Sequence, residues 1–189
     1  AAGIVVSKVG TYPIHRSELL DLWHSYKHSI QSKPLYTKEE MKELVSQWQS
    51  KGETVVFTNG CFDILHRGHI TYLQEAAQLG DHLIIGLNSD SSVQRLKGET
   101  RPIVSEEDRA ALLSALRCID GVVLFEENTP AELLAYLRPN TLVKGGDYKI
   151  EDIIGRESVD NVEVLSFKEG YSTSDIVGKI ATMAKEGKL

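Results

Sequence analysis

Residues 58–69 read Thr-Asn-Gly-Cys-Phe-Asp-Ile-Leu-His-Arg-Gly-His and join two patterns of different period. The apolar run TVVFT precedes them, and the helical pattern HITYLQEAAQLG begins at residue 69. A turn from a parallel strand into a helix brings backbone amides and the positive end of the helix dipole to the carboxyl edge of a sheet. A phosphate is the natural ligand there, so the stretch predicts a strand, a phosphate-binding turn and a helix.

Two histidines in this turn, His66 and His69, are separated from each other by Arg67 and Gly68. Two imidazole donors beside one phosphate would orient a triphosphate and stabilise charge on the transferred group and the departing pyrophosphate. Gly68 lets the ligand approach the backbone closely. The alternatives are a zinc pair or ordinary helix-cap histidines. Zinc needs more ligands, and neither an HExxH motif nor a nearby cysteine pair is present, so we expect phosphate contact and no metal-binding residues.

The chain beyond residue 54 alternates short apolar runs with helical patterns, which predicts an α/β fold with a Rossmann-like parallel sheet flanked by helices. Four further apolar runs predict strands: HLIIGL, GVVLF, TLVK and VEVLSF. A hydroxyl three residues before a carboxylate predicts each helix start, at Thr37/Glu40, Ser105/Asp108, Thr129/Glu132 and Ser172/Asp175. Residues 90–104 lack a clean period and predict a mobile basic loop.

The composition limits the chain to one main domain with a small appendage. It has 189 residues, 41% of them hydrophobic, and a net charge of -6, which argues against non-specific nucleic-acid binding. No apolar run approaches the ~20 residues of a membrane-spanning helix, and no signal peptide is evident, so we expect a cytoplasmic protein with no membrane partner. Cys61 and Cys118 are far apart in sequence and predict reduced thiols.

The first fifty residues differ from the rest. They contain an apolar run at 4–9, a helix-like segment at 17–30, the linker QSKPLY and a helix at 37–50 that Gly52 ends. The sequence starts at Ala1 rather than at a methionine, which suggests an excised or processed chain. We therefore expect a short N-terminal extension, residues 1–36, and a main domain, residues 37–189.

Two motifs in this sequence resemble those of the cytidylyltransferase-like nucleotidyltransferases. FDILHRGH resembles their HxGH signature, and GYSTSDI is similar to their ISTT-type motif at the start of the last helix. Residues 37–180 resemble the adenylyltransferase domains of bifunctional heptose 7-phosphate kinase/heptose 1-phosphate adenylyltransferases. The stretches that carry this resemblance are TNGCFDILHRGH, NSDSSV, LKGETRPI, EEDRAALLSAL, TPAELLAYLRPNTLVKGGDY and YSTSDIV. AAGIVVSKVGTYPIHRSEL resembles the end of the ribokinase-like half of those proteins, which makes residues 1–36 a remnant of that domain and a linker.

This resemblance implies an activity. The chain would transfer AMP from ATP, with Mg²⁺ as cofactor, to D-glycero-β-D-manno-heptose 1-phosphate, and release pyrophosphate. The product, ADP-heptose, would serve lipopolysaccharide core biosynthesis in the bacterial cytoplasm. The resemblance also implies a homodimer and a kinase domain that precedes this chain in the full-length protein.

The resemblance and the positions of polar residues along the chain assign the site. His66, His69 and Lys97 are the expected catalytic residues. Nucleotide contacts are expected at the ends of predicted strands and at helix starts, from Thr58, Asn59, Gly60, Cys61, Phe62, Gly68, Asn88, Asp90, Gly145, Gly146, Asp147, Ser172, Thr173 and Ser174. Substrate anions are expected on Lys97, Arg101 and Lys144. Asp63 is expected to fix its loop through backbone hydrogen bonds, and Arg109 stays open between ligand and packing residue.

Two alternative functions stay open at this point. A cytidylyltransferase acting on glycerol 3-phosphate or a similar small phosphate shares both signatures, and physical reasoning does not distinguish adenine from cytosine here. A nucleotide-binding module without turnover is the other alternative, although intact His66, His69 and Lys97 argue against it.

Overall fold

The computed structural model describes residues 35–166 and 172–188, together with Arg16. The chain divides into two units, residues 1–33 and residues 34–189, and every element named below belongs to the second. The apolar run at 4–9 and the helix-like segment at 17–30 lie outside the described residues.

Six parallel strands form one sheet within the described residues, which confirms the predicted α/β fold. They are β1 (Leu35–Tyr36), β2 (Val55–Gly60), β3 (His82–Asn88), β4 (Gly121–Phe125), β5 (Thr141–Gly145) and β6 (Asn161–Leu165). Their order is β1-β4-β3-β2-β5-β6, and each neighbouring pair is parallel. The chain winds outward from β2 through β3 to β4 and then crosses to β5 on the other side of β2. This reversal marks the place where ligands bind in open α/β sheets.

Six helices accompany the strands in the described part of the chain: α1 (Lys38–Ser50), α2 (Arg67–Ala77), α3 (Asp90–Lys97), α4 (Glu106–Ser114), α5 (Ala131–Leu137) and α6 (Thr173–Lys185). Single 3₁₀ turns lie at Ile150–Asp152 and Arg156–Ser158. The predicted caps at Thr37, Ser105 and Ser172 are confirmed, because each side chain accepts a hydrogen bond from the backbone three residues on. None of the described helices is both long enough and apolar enough to cross a membrane.

Three local predictions differ from the structure. Residues 90–97 of the predicted mobile loop form α3, which Ser89 caps and which carries Asp90 in its first turn and Lys97 in its last, as the helix dipole favours. Helix α5 starts after Pro130 and has no side-chain cap, so Thr129 does not cap it. Residues 35–36, placed in a linker from sequence, pair with β4.

The core consists of two layers, one on each face of the sheet. On one face, Leu73 of α2 and Leu113 of α4 pack with Ile85 of β3. On the other face, Met41 of α1 and Leu134 of α5 pack with alternate residues of the same strands. Residues that alternate along a strand point to opposite faces, so both layers come from one set of apolar strands.

Candidate active site

The sheet opens at its carboxyl edge between β2 and β5. Strand β2 pairs with β3 at six positions but with β5 only at Val56–Thr141 and Phe57–Leu142. Beyond those pairs the hydroxyl of Tyr72, from α2, donates to the Val143 carbonyl at 3.2 Å. Because the Tyr72 proton is used in that bond, the Tyr72 oxygen accepts from the Thr58 hydroxyl, at 2.6 Å. Tyr72 therefore bridges the two strands.

A cavity of about 350 Å³ lies at this edge. Three strands, the loops after β2 and β5, and three helices contribute the residues that line it: Asn59, Gly60, Cys61, Phe62, Asp63, His69, Tyr72, Asn88, Lys97, Lys144, Gly145, Tyr148 and Thr173. Ten of the residues predicted from sequence thus share one cavity: Asn59, Gly60, Cys61, Phe62, His69, Asn88, Lys97, Lys144, Gly145 and Thr173.

Other predicted site residues do not line this cavity. Thr58 is completely buried beneath it, Asp90 pairs with Arg109, and Arg101 pairs with Asp63. The others flank the lining residues along the chain: His66, Gly68, Gly146, Asp147, Ser172 and Ser174. Ser172 uses its hydroxyl to cap α6, as the Ser172/Asp175 spacing predicts.

The two histidines stack against each other at the start of α2. His66 is the N-cap residue, and its Nδ1 accepts from the His69 backbone N–H at 3.4 Å. The rings are nearly parallel, with centroids 3.8 Å apart. Because Nδ1 accepts, the neutral His66 ring carries its proton on Nε2. The helix-cap interpretation therefore holds for His66, and it sets the tautomer in which Nε2 is a donor.

Burial keeps both rings neutral near pH 7. It lowers the pKa of His69 to about 4, and the neighbouring His66 and Lys97 add smaller repulsions in the same direction. Burial also lowers the pKa of His66. Nδ1 of His69 is buried and has no hydrogen-bond partner within the described residues. The rings of Phe62 and His69 pack edge to face, with their centroids 5.3 Å apart. This contact holds His69 in place.

Two lysines from different elements face the cavity. Lys144, near the end of β5, donates to the side-chain oxygen of Asn59 across the strand gap. Burial lowers the pKa of Lys144 to about 8. Lys97 ends α3 and is exposed at the cavity wall. The cavity thus offers two cationic side chains to anionic ligands.

Asp63 accepts backbone hydrogen bonds, as the sequence predicts, but the loop that it fixes is the one that follows α3 rather than its own. Its carboxylate is almost completely buried and accepts from the backbone N–H groups of Ile103 (2.7 Å) and Val104 (3.0 Å) and from Nε of Arg101 (2.5 Å). Burial alone would raise the pKa of Asp63, but these three donors lower it below its ordinary value. Arg101 therefore uses its Nε to hold this loop against Asp63.

Sequence reasoning missed two residues of this region, Tyr72 and Tyr148, and left the role of a third, Arg109, open. Tyr72 and Tyr148 line the cavity, and Arg109 is completely buried behind it. Tyr72 lies three residues after His69 on the same helix, so helical spacing was a usable signal. Arg109 gave no such signal, because its partners come from three distant segments.

The described residues contain no cluster of three or more His, Cys, Asp or Glu side chains arranged to hold a metal ion. Two carboxylates near the cavity, Asp63 and Asp90, are paired with Arg101 and Arg109. A divalent cation would therefore depend on oxygen ligands from a bound nucleotide, which is usual for Mg²⁺.

Comparison with known proteins identifies the family. The cytidylyltransferase-like family model matches residues 57–179. The bifunctional protein HldE of Wolinella succinogenes is 48% identical over 180 residues, which cover 95% of this chain and 38% of that protein. HldE of Campylobacter jejuni strain RM1221 is 49% identical, with the same coverage. The chain thus spans well under half the length of these relatives.

A solved structure has a similar fold. The crystal structure of the lipopolysaccharide core biosynthesis protein from Thermoplasma volcanium is 32% identical and superposes with a TM-score of 0.52. The match covers 64% of this chain and 100% of that one. Fold, cavity, family model and relatives agree: the chain belongs to the cytidylyltransferase-like family of nucleotidyltransferases.

Proposed function

We propose that this chain transfers AMP from Mg-ATP to D-glycero-β-D-manno-heptose 1-phosphate, giving ADP-heptose and pyrophosphate. The observation that carries the proposal is that His69, Lys97 and the largely buried Lys144 line one cavity at the N-terminus of α2, where His66 stacks on His69. Two sets of phosphate-binding groups suit a reaction between a triphosphate and a phosphate monoester.

The reaction is a displacement at the α-phosphorus of ATP. An oxygen of the sugar phosphate forms a new bond to this phosphorus. The bond between this phosphorus and the oxygen that bridges it to the β-phosphorus breaks, and pyrophosphate leaves with that oxygen. The sugar phosphate is already ionised at neutral pH, so no general base is needed. The protein contributes alignment of the two anions and stabilisation of developing charge.

The start of α2 is the proposed triphosphate site. His66 offers its Nε2 proton, and His69 is a neutral ring whose buried Nδ1 lacks a partner. Thr173, in the first turn of α6, adds a hydroxyl and helix N-terminal amides at the same cavity. Lys97 supplies positive charge where pyrophosphate departs.

The Lys144–Asn59 pair is the proposed site of the acceptor phosphate. Lys144 is largely buried, and the partner that the structure gives it is a neutral amide oxygen rather than a carboxylate. A buried ammonium is stabilised by a nearby anion, so the phosphate monoester would complete the pair. Mg²⁺ enters as the complex with ATP, and the triphosphate supplies its principal ligands.

The adenine and heptose preferences rest on the resemblance of residues 37–180 to heptose 1-phosphate adenylyltransferases. The similarity to proteins named HldE and to a lipopolysaccharide core biosynthesis protein supports them. The greater length of the HldE relatives supports a kinase domain ahead of this one in the full-length protein. A homodimer in the bacterial cytoplasm completes the proposal.

The decisive experiment measures pyrophosphate release with magnesium in four pairings, ATP or CTP with heptose 1-phosphate or glycerol 3-phosphate. We expect release only with ATP and the heptose. Release with CTP and glycerol 3-phosphate would assign the chain to the alternative cytidylyltransferase function. No release in any pairing would favour a binding module without turnover.

A matched variant links the activity to the site. His69→Ala removes one donor to the triphosphate, and loss of such a donor typically costs about 10²–10³ in kcat. The control is His82→Ala, because His82 begins β3 at the end away from the cavity and stacks on Trp48. An equal loss of kcat in both variants would contradict the assignment of His69.

A further inference from the structure

Arg109 is a completely buried arginine that joins three segments behind the cavity. Its Nε donates to the Val104 carbonyl at 3.0 Å, and its Nη2 donates to Asp90 Oδ1 at 2.7 Å. Its Nη1 donates to the carbonyls of Cys61 at 2.6 Å and Asn88 at 2.9 Å. A guanidinium is a planar fork of fixed geometry, so four such bonds fix the three backbone segments relative to one another.

The bond to Cys61 acts on the phosphate-binding turn. The Cys61 carbonyl belongs to the peptide that precedes Phe62, whose φ is 45°, in a region that bulky residues rarely adopt. Because this peptide is planar, fixing its carbonyl also fixes the direction of the Phe62 N–H. Phe62 in turn packs edge-on against His69. Arg109 is thus connected to the catalytic candidate His69 through two intervening residues.

The other two carbonyls extend this connection. Asn88 ends β3 and lines the cavity, and its carbonyl shares Nη1 with that of Cys61. Val104 is held from both sides, because its N–H donates to Asp63 while its carbonyl accepts from Arg109. The turn, the strand end and the basic loop therefore meet at one side chain.

We propose that Arg109 is a positioning residue for nucleotidyl transfer: through the carbonyls of Cys61, Asn88 and Val104 it holds the phosphate-binding turn in the arrangement that faces His69 toward the substrate. Arg109 itself does not line the cavity. The kinetic consequence rests on the proposed function, whereas the ordering of the turn does not. Lysine keeps the charge but lacks the fork, so it does not replace these bonds.

The first test measures the turn directly and needs no activity. The chain has two cysteines, Cys61 in the turn and Cys118 elsewhere, both partly exposed. Iodoacetamide alkylation of each is followed by mass spectrometry in wild type, Arg109→Lys and the control Arg117→Lys, which changes an exposed arginine beyond α4. We expect the Cys61 rate to rise at least about fivefold in Arg109→Lys alone, with Cys118 unchanged. No change, or an equal rise at both cysteines, would overturn the proposal.

The second test measures kcat and KM for pyrophosphate release in the same three proteins. A misplacement of about 1 Å at a reacting group costs on the order of 10²-fold, so we expect that loss in kcat for Arg109→Lys, with KM within about threefold of wild type. Wild-type kcat, or a loss confined to KM, would overturn the positioning role. If wild type itself releases no pyrophosphate, the proposed function fails while the alkylation rates still decide the inference. Arg109→Gln takes the place of the lysine variant if the latter does not fold.

Discussion

His69 combines two properties that affect stability and function differently. It is a candidate donor to phosphate, yet its burial opposes protonation and lowers its pKa to about 4. An unfolded histidine has a pKa near 6.5, so between pH 6.5 and 4 the unfolded chain binds a proton that the folded chain does not. The free energy of unfolding therefore falls as pH drops through this window, and this contribution is absent above it.

We predict that His69→Gln weakens this dependence. Urea unfolding at pH 7, 5.5 and 4.5 should show a steeper loss of stability on acidification for wild type than for the variant, because glutamine does not titrate. Groups that do not contact His69 titrate equally in the two proteins and cancel in the difference, so the remaining difference belongs to His69 and the stacked His66. Parallel pH profiles would contradict the buried, neutral state of His69.

Loss of the positive charge on Lys144 should limit activity at alkaline pH. Burial lowers its pKa to about 8, so its charge is present at pH 7 and mostly lost at pH 9. We predict that KM for the sugar phosphate rises about tenfold per pH unit above pH 8 in wild type. Lys144→Arg stays charged throughout and should show a flat profile up to pH 9.5. A wild-type profile as flat as that of the arginine variant would remove Lys144 from the acceptor site.

At the scale of elements, helix α1 depends on a local cap. The Thr37 side chain accepts from Glu40 N at 3.1 Å, and Glu40 Oε2 accepts from Thr37 N at 2.8 Å. We predict that Thr37→Ala lowers the free energy of unfolding by about 1 kcal/mol, measured in urea. Ser46→Ala, an exposed change on the same helix, should stay within about 0.5 kcal/mol of wild type. Equal effects of the two changes would show that the cap contributes nothing particular.

The same element scale separates what sequence could predict from what it could not. Caps such as Thr37–Glu40 and the turn with His66 and His69 depend on residues within a few positions of each other, so short patterns predicted them, although the same spacing at Thr129–Glu132 did not give a cap. Helix α3 was missed because Val93 is its one buried apolar residue, which leaves no periodic signal. The Lys144–Asn59 pair and the Arg109 bonds join residues that only the strand order brings together.

At the scale of the whole molecule, the described core belongs to one unit. Both hydrophobic layers draw on residues 36–165. We therefore predict that a chain of residues 34–189 folds by itself and unfolds within about 3 °C of the longer chain, as measured by circular dichroism. Retained pyrophosphate release by this fragment would support a division between residues 33 and 34, whereas an unfolded fragment would show that the first unit is required.

The short pairing between β2 and β5 has a consequence for how the whole sheet responds to a ligand. Two paired positions join the four-stranded part β1-β4-β3-β2 to the two-stranded part β5-β6. A nucleotide bound at this seam would add contacts to both parts, where only two paired positions join them. Binding is then expected to slow amide hydrogen exchange at interior strand positions beside the seam, a change in the rigidity of the sheet that a ligand held by surface loops alone does not produce.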